Sequence, residues 1–246
     1  INECFNDGVK VPRTIRNNSD ELVTIHNDKL FFLTKYCEGE KFKGKKEEIL
    51  SAGENLAVLN QKLSKYDFTL KRSSFYEDLS LDELKEIENA EIADKKIKKI
   101  IKKLPQLYSD INQKIKKYKN KQLVHLDYHK GNLLFSKNQV NVILDFDSIL
   151  TSFELQSIAF ACDRFSNNAK EFLLFLEGYQ KKSKDFKDSE ILVLPDFAKK
   201  EAINRINYII RKQFFYSDKT WAFELDKHLK ILERMKNLKN EIEKLV

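Results

Sequence analysis

Apolar positions along this chain change their spacing several times, and each change marks an element. ELVTIHN and KLFFLTKY alternate on either side of Asn27-Asp28 and predict a β-hairpin. From Lys43 to about Tyr66, Leu50, Leu56, Leu59 and Leu63 recur at helical spacing. Ser80-Leu-Asp-Glu83 is a capping-box pattern that opens a further helix. Its apolar positions run on to about Tyr118, with a break near Pro105. Within that run KKIKKIIKK, Lys95–Lys103, puts Ile97, Ile100, Ile101 and then Leu104 on one stripe and the lysines elsewhere, as on a solvated helix. The period then shortens. Leu123–Leu126 and Val140–Phe146 are β-type runs flanking a polar loop, and together they read as one hairpin-like insert. Helical spacing returns after Phe153 in segments near 154–165, 169–182, 196–216 and 220–245, and Lys181–Asp188 reads as a flexible loop.

Composition narrows the class. A chain of 246 residues holds one large domain, alone or with a small appendage, and 41% hydrophobic content is enough for a real core. No run approaches the ~18 consecutive apolar residues of a membrane helix, and the first residues carry no signal-peptide pattern, so no membrane partner is expected. Cys4, Cys37 and Cys162 are odd in number and far apart, which fits neither a disulfide framework nor a zinc spacing and makes a reducing cytoplasm the default location. The net charge of +7 is mostly lysine spread over helices. Nucleic acid, which calls for clustered Arg with interleaved aromatics, is not an expected partner. Ile1 opens inside what already reads as folded sequence, so residues upstream of it are expected.

The unusual chemistry lies in LVHLDYHKGNLL at 123–134 and VILDFDSI at 142–149. Apolar flanks predict burial, and burying that much polarity is costly unless something binds there. Taken singly, His125 reads as a core histidine, Asp145 as a strand terminator and Lys130-Gly131-Asn132 as a turn. Taken together, Asp127, Asn132, Asp145 and Asp147 are hard oxygen donors of the kind Mg²⁺ prefers beside phosphate oxygens. One Asp as base, then an Asn and an Asp as metal ligands, is the division of labour of kinase-type phosphoryl transfer. His125, Asp127 and Asn132 reproduce the spacing of that catalytic loop. The same letters permit another chemistry, in which His125, Asp127, His129, Asp145 and Asp147 ligate a transition metal for hydrolysis.

HLDYHKGNLLF followed by VNVILDFDS resembles the paired motifs of the aminoglycoside phosphotransferase and choline kinase family, HGDxHxxNxL and then IDFD. GVKVPRTI, the hairpin and FFLTKYCEGE are similar to that family's later N-lobe strands and hinge, and ENLAVLNQKL to the helix that follows. The resemblance implies an α+β, bilobal protein-kinase-like fold. Residues 1–38 would be a partial β-rich N-lobe with the hinge, and 39–246 a mostly helical C-lobe with its catalytic loop at 123–147. It further implies ATP- or GTP- and Mg²⁺-dependent phosphorylation of a small-molecule hydroxyl.

Carried over by position, Asp127 would be the catalytic base, and His129 would face the γ-phosphate. Asn132 and Asp145 would hold Mg²⁺, with Asp147 beside them, and His125 would pack under the loop. The backbone of Tyr36, Cys37 and Glu38 would border the nucleotide base. The chain departs from the family pattern at Leu126, where Gly is usual, at Asn60, where His is usual, and at Ser157, which takes the place of a bracing Asp. No glycine-rich phosphate loop or strand-borne Lys is legible, and Lys10 lies in a stretch matching a later strand. The partners implied are a nucleotide and a small hydroxyl acceptor: an aminoglycoside, choline or ethanolamine, a sugar, or an amino alcohol. Glu154, Asp163, Glu171, Glu177 and Glu224 are candidates to meet an acceptor amine. A degenerate kinase-like binding protein without turnover is the alternative reading.

Overall fold

The computed structural model describes residues 1–67, 69–90 and 95–246. In chain order the helices are α1 (Asn2–Asn6), α2 (Lys46–Leu63), α3 (Leu81–Asn89), α4 (Lys95–Ile101), α5 (Leu104–Ile115), α6 (Glu154–Phe165), α7 (Ala169–Lys182), α8 (Leu194–Phe215) and α9 (Leu225–Ile242). The strands are β1 (Thr14–Ile15), β2 (Thr24–His26), β3 (Lys29–Phe31), β4 (Leu33–Thr34), β5 (Lys121–His125), β6 (Leu133–Ser136), β7 (Gln139–Ile143) and β8 (Ile149–Phe153). Two compact units emerge: Ile1–Leu70 with Lys121–Lys187, and Lys71–Asn120 with Asp188–Val246. Among the described residues no helix is long and apolar enough to cross a membrane.

In the first unit the expected hairpin forms between β2 and β3, with His26 opposite Lys29. Asn27 and Asp28 both take positive φ, 49° and 59°, which gives the turn the twist that two-residue hairpins require. Strand β4 pairs with β1, and Ile25, Leu30, Phe31 and Leu33 on these short strands, with Phe32 between β3 and β4, are exposed. Helix α2 begins where Glu48, itself buried, accepts hydrogen bonds from the N–H groups of Lys43 and Lys45 at 2.8 and 3.2 Å. Its apolar stripe of Leu56, Leu59 and Leu63 is buried. Helices α2 and α7 cross at two glycines. A Cβ on Gly53 would lie 2.1 Å from the carbonyl oxygen of Phe175, and one on Gly178 2.1 Å from that of Leu50. Such an approach leaves no room for any side chain.

The two β-type runs do not pair with each other, contrary to the single-hairpin expectation. Strand β5 pairs with β8, a strand not legible as such in the sequence, and His125 stands opposite Ile149. Strand β7 pairs with β6, and Leu133 stands opposite Ile143. The result is an outer ladder enclosing an inner hairpin, whose Lys137-Asn138 turn again has two positive φ values, 50° and 63°. Alternation dictates which face of a strand is buried and leaves the partner open, so the pairing is not legible from these runs.

In the second unit Ser80 Oγ accepts from Glu83 N–H at 3.2 Å, Glu83 accepts from Ser80 N–H at 2.8 Å, and α3 starts there as expected. The single long run to Tyr118 is instead three helices, the last carrying Pro105 in its first turn, and residues 91–94 lie outside the described residues. Helix α8 is the axis of this unit, packed by α5 and α9. Much of the lysine and arginine excess near it neutralises buried carboxylates. Asp196 meets Lys114, Lys199 and Lys239, and Glu201 takes a two-pronged contact from Arg72 at 2.6 and 2.7 Å plus Arg205 at 2.9 Å.

Candidate active site

Apart from His125, the last residue of β5, every polar residue singled out in the loop lies in one of two connections between the ladders, 126–132 and 144–148. The connections are laced together. Leu144 N–H donates to Asn132 C=O at 2.8 Å, and Leu126 N–H donates to Ser148 C=O at 3.2 Å. His125, fully buried, joins both sides: its Nδ1 accepts from Asp127 N–H at 3.1 Å, so its Nε2 proton points at Leu144 C=O, 3.3 Å away. Burial holds its pKa below the ordinary histidine value, so the ring is neutral and its contacts are those of a brace. Tyr128, also buried, anchors the loop to α2 by donating to Ala52 C=O at 2.8 Å.

Asp127 and His129 are half-buried, and Asn132 joins them. The Asn132 amide nitrogen donates to both the backbone oxygen and Oδ2 of Asp127, each at 3.0 Å. His129 Nε2 stands 3.3 Å from the same Oδ2. With its nitrogen committed, the Asn132 amide turns its oxygen to the other side, where it meets no donor among the described residues. Asp145 and Asp147 are exposed and their carboxylates likewise engage no described partner. The burial expected of all this polarity holds for His125 and fails for these two. Asp145 adopts φ 58° and ψ 76°, and the one-turn helix Phe146–Ser148 that follows lifts the chain off the strand. That left-handed backbone is uncommon outside glycine, although Asp tolerates it better than most residues.

Three hard oxygen groups without protein donors suit a divalent cation shared with phosphate, which needs only one or two protein carboxylates. Among the described residues no three His, Cys, Asp or Glu side chains gather into a metal-ligating group, and the hydrolase alternative gains no geometric support.

The Tyr36–Glu38 segment is tied to the inner hairpin. Glu40 and Phe135 exchange two backbone hydrogen bonds of 2.8 Å, and Asn141 Nδ2 donates to Glu38 C=O at 2.9 Å. Asn141 is the extra residue of a register shift in β7, and such bulges re-aim side chains. Lys10 donates to Val140 C=O at 2.7 Å, a contact that fastens β7.

The two departures at Asn60 and Ser157 turn out to be neighbours. Asn60 Nδ2 donates to Ser157 Oγ at 3.0 Å and lies 3.2 Å from Tyr179 OH, which donates to Glu154. Gln122, on β5, donates to Asn60 C=O at 3.1 Å, so this buried group holds the strand that delivers the loop. The sequence assigns no role to Gln122 or Tyr128, and to Gly131 only that of a turn residue. Only Tyr128 left a signal, an aromatic two positions after buried Leu126 on the same alternation.

Of the five acidic candidates for an acceptor amine, Glu154 accepts from Tyr179, Asp163 is buried 3.6 Å from Arg164, Glu171 caps α7, and Glu177 faces Lys181. Glu224 lines a pocket of about 90 Å³ in the second unit, beside Tyr76, Tyr208, Trp221 and His228. The Tyr76 ring is already sandwiched there, by Arg72 at 3.8 Å and Tyr208 at 4.5 Å.

Residues 5–185 match the model of the phosphotransferase enzyme family. No curated protein sequence matches the chain. Solved structures that it resembles include the amicoumacin kinase hAmiN in complex with AMP-PNP and Ca²⁺, 17% identical over 99% of this chain and 75% of that one, with TM-score 0.65. Others are the spectinomycin phosphotransferase APH(9)-Ia with ADP and spectinomycin (14%, 97% and 78%, TM-score 0.64) and choline kinase from Cryptosporidium parvum (15%, 95% and 76%, TM-score 0.61). At these identities what is shared is the fold, the α+β arrangement of the protein-kinase-like enzymes, and the chain spans about three quarters of their length.

Proposed function

This chain belongs to the phosphotransferase enzyme family, and from that premise we propose that it transfers the γ-phosphoryl group of ATP or GTP to a hydroxyl of a small molecule. The observation that carries the reading is the Asp127–Asn132 pair. One loop fixes a carboxylate through its Oδ2 and, by the same two hydrogen bonds, turns an amide oxygen away from it.

In this reading Asp127 orients the acceptor hydroxyl and takes its proton as the oxygen bonds to the γ-phosphorus and the bridge to the β-phosphate breaks. Asn132 and Asp145 would hold Mg²⁺, with Asp147 as a further carboxylate of the same turn; the ion, when bound, neutralises charge on the phosphate oxygens. His125 contributes no proton and keeps the two connections in register. The nucleotide base would lie along Tyr36, Cys37 and Glu38. Asn141, by donating to Glu38 C=O, helps to hold this segment in place, and hydrogen bonds to the base edge would come from its backbone. A small organic molecule that carries a cationic nitrogen is the favoured class of acceptor, in line with the spectinomycin bound in one similar structure and with the choline kinase among the others.

Two measurements test the reading. ADP or GDP release should follow addition of one member of a panel of aminoglycosides, amino alcohols and sugars, and Asp127→Ala should lower kcat by ~10²–10⁴ while nucleotide affinity holds. Full activity in Asp127→Ala would end the assignment. A Mg²⁺-dependent nucleotide shift in Tm without turnover of any acceptor would favour a binding protein instead.

A further inference from the structure

Gly131 is a glycine whose backbone has no need of one, since its φ does not fall in the left-handed range that favours glycine. The obstacle to a side chain there is a single group. A Cβ on Gly131 would stand 2.8 Å from His129 Cε1 and 3.1 Å from His129 Nδ1. The Gly131 N–H donates to that same Nδ1 at 2.9 Å. An Nδ1 that accepts a hydrogen bond carries no proton, so the neutral ring bears its proton on Nε2. Nε2 is the nitrogen 3.3 Å from Asp127 Oδ2.

We propose that Gly131 and His129 form one positioning device for Asp127: the glycine seats the imidazole and fixes its tautomer, and the imidazole, with Asn132, fixes the carboxylate. His129 is thereby a positioning residue that acts through Asp127, not a group that faces phosphate. The proposal rests on the phosphotransferase reading for its kinetic consequence and on geometry alone for the ring.

The collision predicted for Gly131→Ala falls on the end of a side chain that is about a third exposed, so the ring swings aside and the fold survives. Displacing a catalytic group by about 1 Å can cost on the order of a hundredfold. Gly131→Ala should therefore lower kcat ~10–100-fold with little change in nucleotide affinity. His129→Ala should do the same. The decisive variant is the double one. Once the ring is gone, Gly131→Ala has nothing to displace and should add less than about twofold to His129→Ala. His129→Gln, whose amide can still donate to Asp127, should recover much of the loss.

Full multiplication of the two losses in the double variant would overturn the proposal, because the glycine would then serve the backbone. Wild-type kcat in Gly131→Ala would overturn it as well. A second readout needs no activity. With four histidines in the chain, long-range ¹H–¹⁵N spectra resolve each ring, and His129 should show a protonated Nε2 in the wild type and lose that fixed pattern in Gly131→Ala. A protonated Nδ1 in the wild type would refute the seat. Should no acceptor be phosphorylated by the wild type, the phosphotransferase reading fails while the tautomer result still stands or falls by itself.

Discussion

Replacing Glu83 with glutamine probes how the second unit holds itself together. Arg211 is buried and spends its guanidinium on six contacts: two to the Glu83 carboxylate, at 2.6 and 2.9 Å, and the rest to the carbonyls of Ser74, Phe75, Glu77 and Asp78. The Arg211 hydrogen bonds hold the Glu83 carboxyl at about 2, against 4.5 ordinarily, in the face of partial burial that works the other way. That difference corresponds to roughly 3 kcal/mol at neutral pH, trimmed to about 2–3 by the 27% exposure of the Glu83 side chain. Because the folded-state value is depressed, the contribution is complete above about pH 4.5 and drains away as pH falls toward 2. Glu83→Gln keeps the cap on Ser80 N–H and loses the charge. It should cost about 2–3 kcal/mol at pH 7, and its deficit relative to the wild type should shrink by about 1.4 kcal/mol at pH 3.5. Urea unfolding followed by Trp221, the single tryptophan and a member of this unit, measures both numbers. Arg211→Met, which strands a carboxylate and four carbonyls together, should cost about 3–5 kcal/mol. An unchanged urea midpoint for Glu83→Gln at pH 7, or a deficit that does not vary with pH, would refute the reasoning.

Three further outcomes are expected. Tyr128→Phe removes one neutral hydrogen bond to a helix carbonyl that keeps its own helical donor, so stability should fall by about 0.5–1.5 kcal/mol, read as a shift in urea midpoint. Gly53→Ala must force α2 from α7 and should cost at least about 2 kcal/mol despite the better helix propensity of alanine; thermal unfolding followed by circular dichroism checks it. Asp145→Asn should keep the left-handed turn and its stability yet lose the Mg²⁺-dependent part of nucleotide binding, whereas Asp145→Ala should lose both, by about 1 kcal/mol in stability. Calorimetric titration with and without Mg²⁺ reads the binding loss common to both variants, and the urea unfolding midpoint separates them.

Helices were the legible part of this fold. The segments at 154–165 and 169–182 fall where their apolar spacing places them, and Ser80 and Asn27-Asp28 act through local chemistry that a short window contains. Helix α9 starts at Leu225 and not near 220, because Trp221 and Phe223, apolar enough to extend the pattern, remain exposed ahead of it. The loop residues were legible through their mutual spacing. Long-range meetings were not: nothing near Asn60 announces Ser157, ninety-seven positions away, and nothing in Lys130-Gly131-Asn132 announces that a ring needs the space over the glycine. Exposure misled in the same way. Apolar neighbours of Asp145 argue for burial, and only the backbone's left-handed step reverses it.

The nesting of the two ladders also sets an order in time. The inner hairpin closes across a two-residue turn, an event on the order of microseconds. The outer pairing of β5 with β8 must span everything between residues 125 and 149, and prior closure of the inner hairpin shortens the distance it has to search. Asp127, Asn132, Asp145 and Asp147 belong to neither ladder and acquire their places only when the second one shuts. In a refolding experiment, helical signal should therefore return ahead of nucleotide binding, with binding tracking the slower phase. Recovery of both in a single phase would mean that the ladders close together.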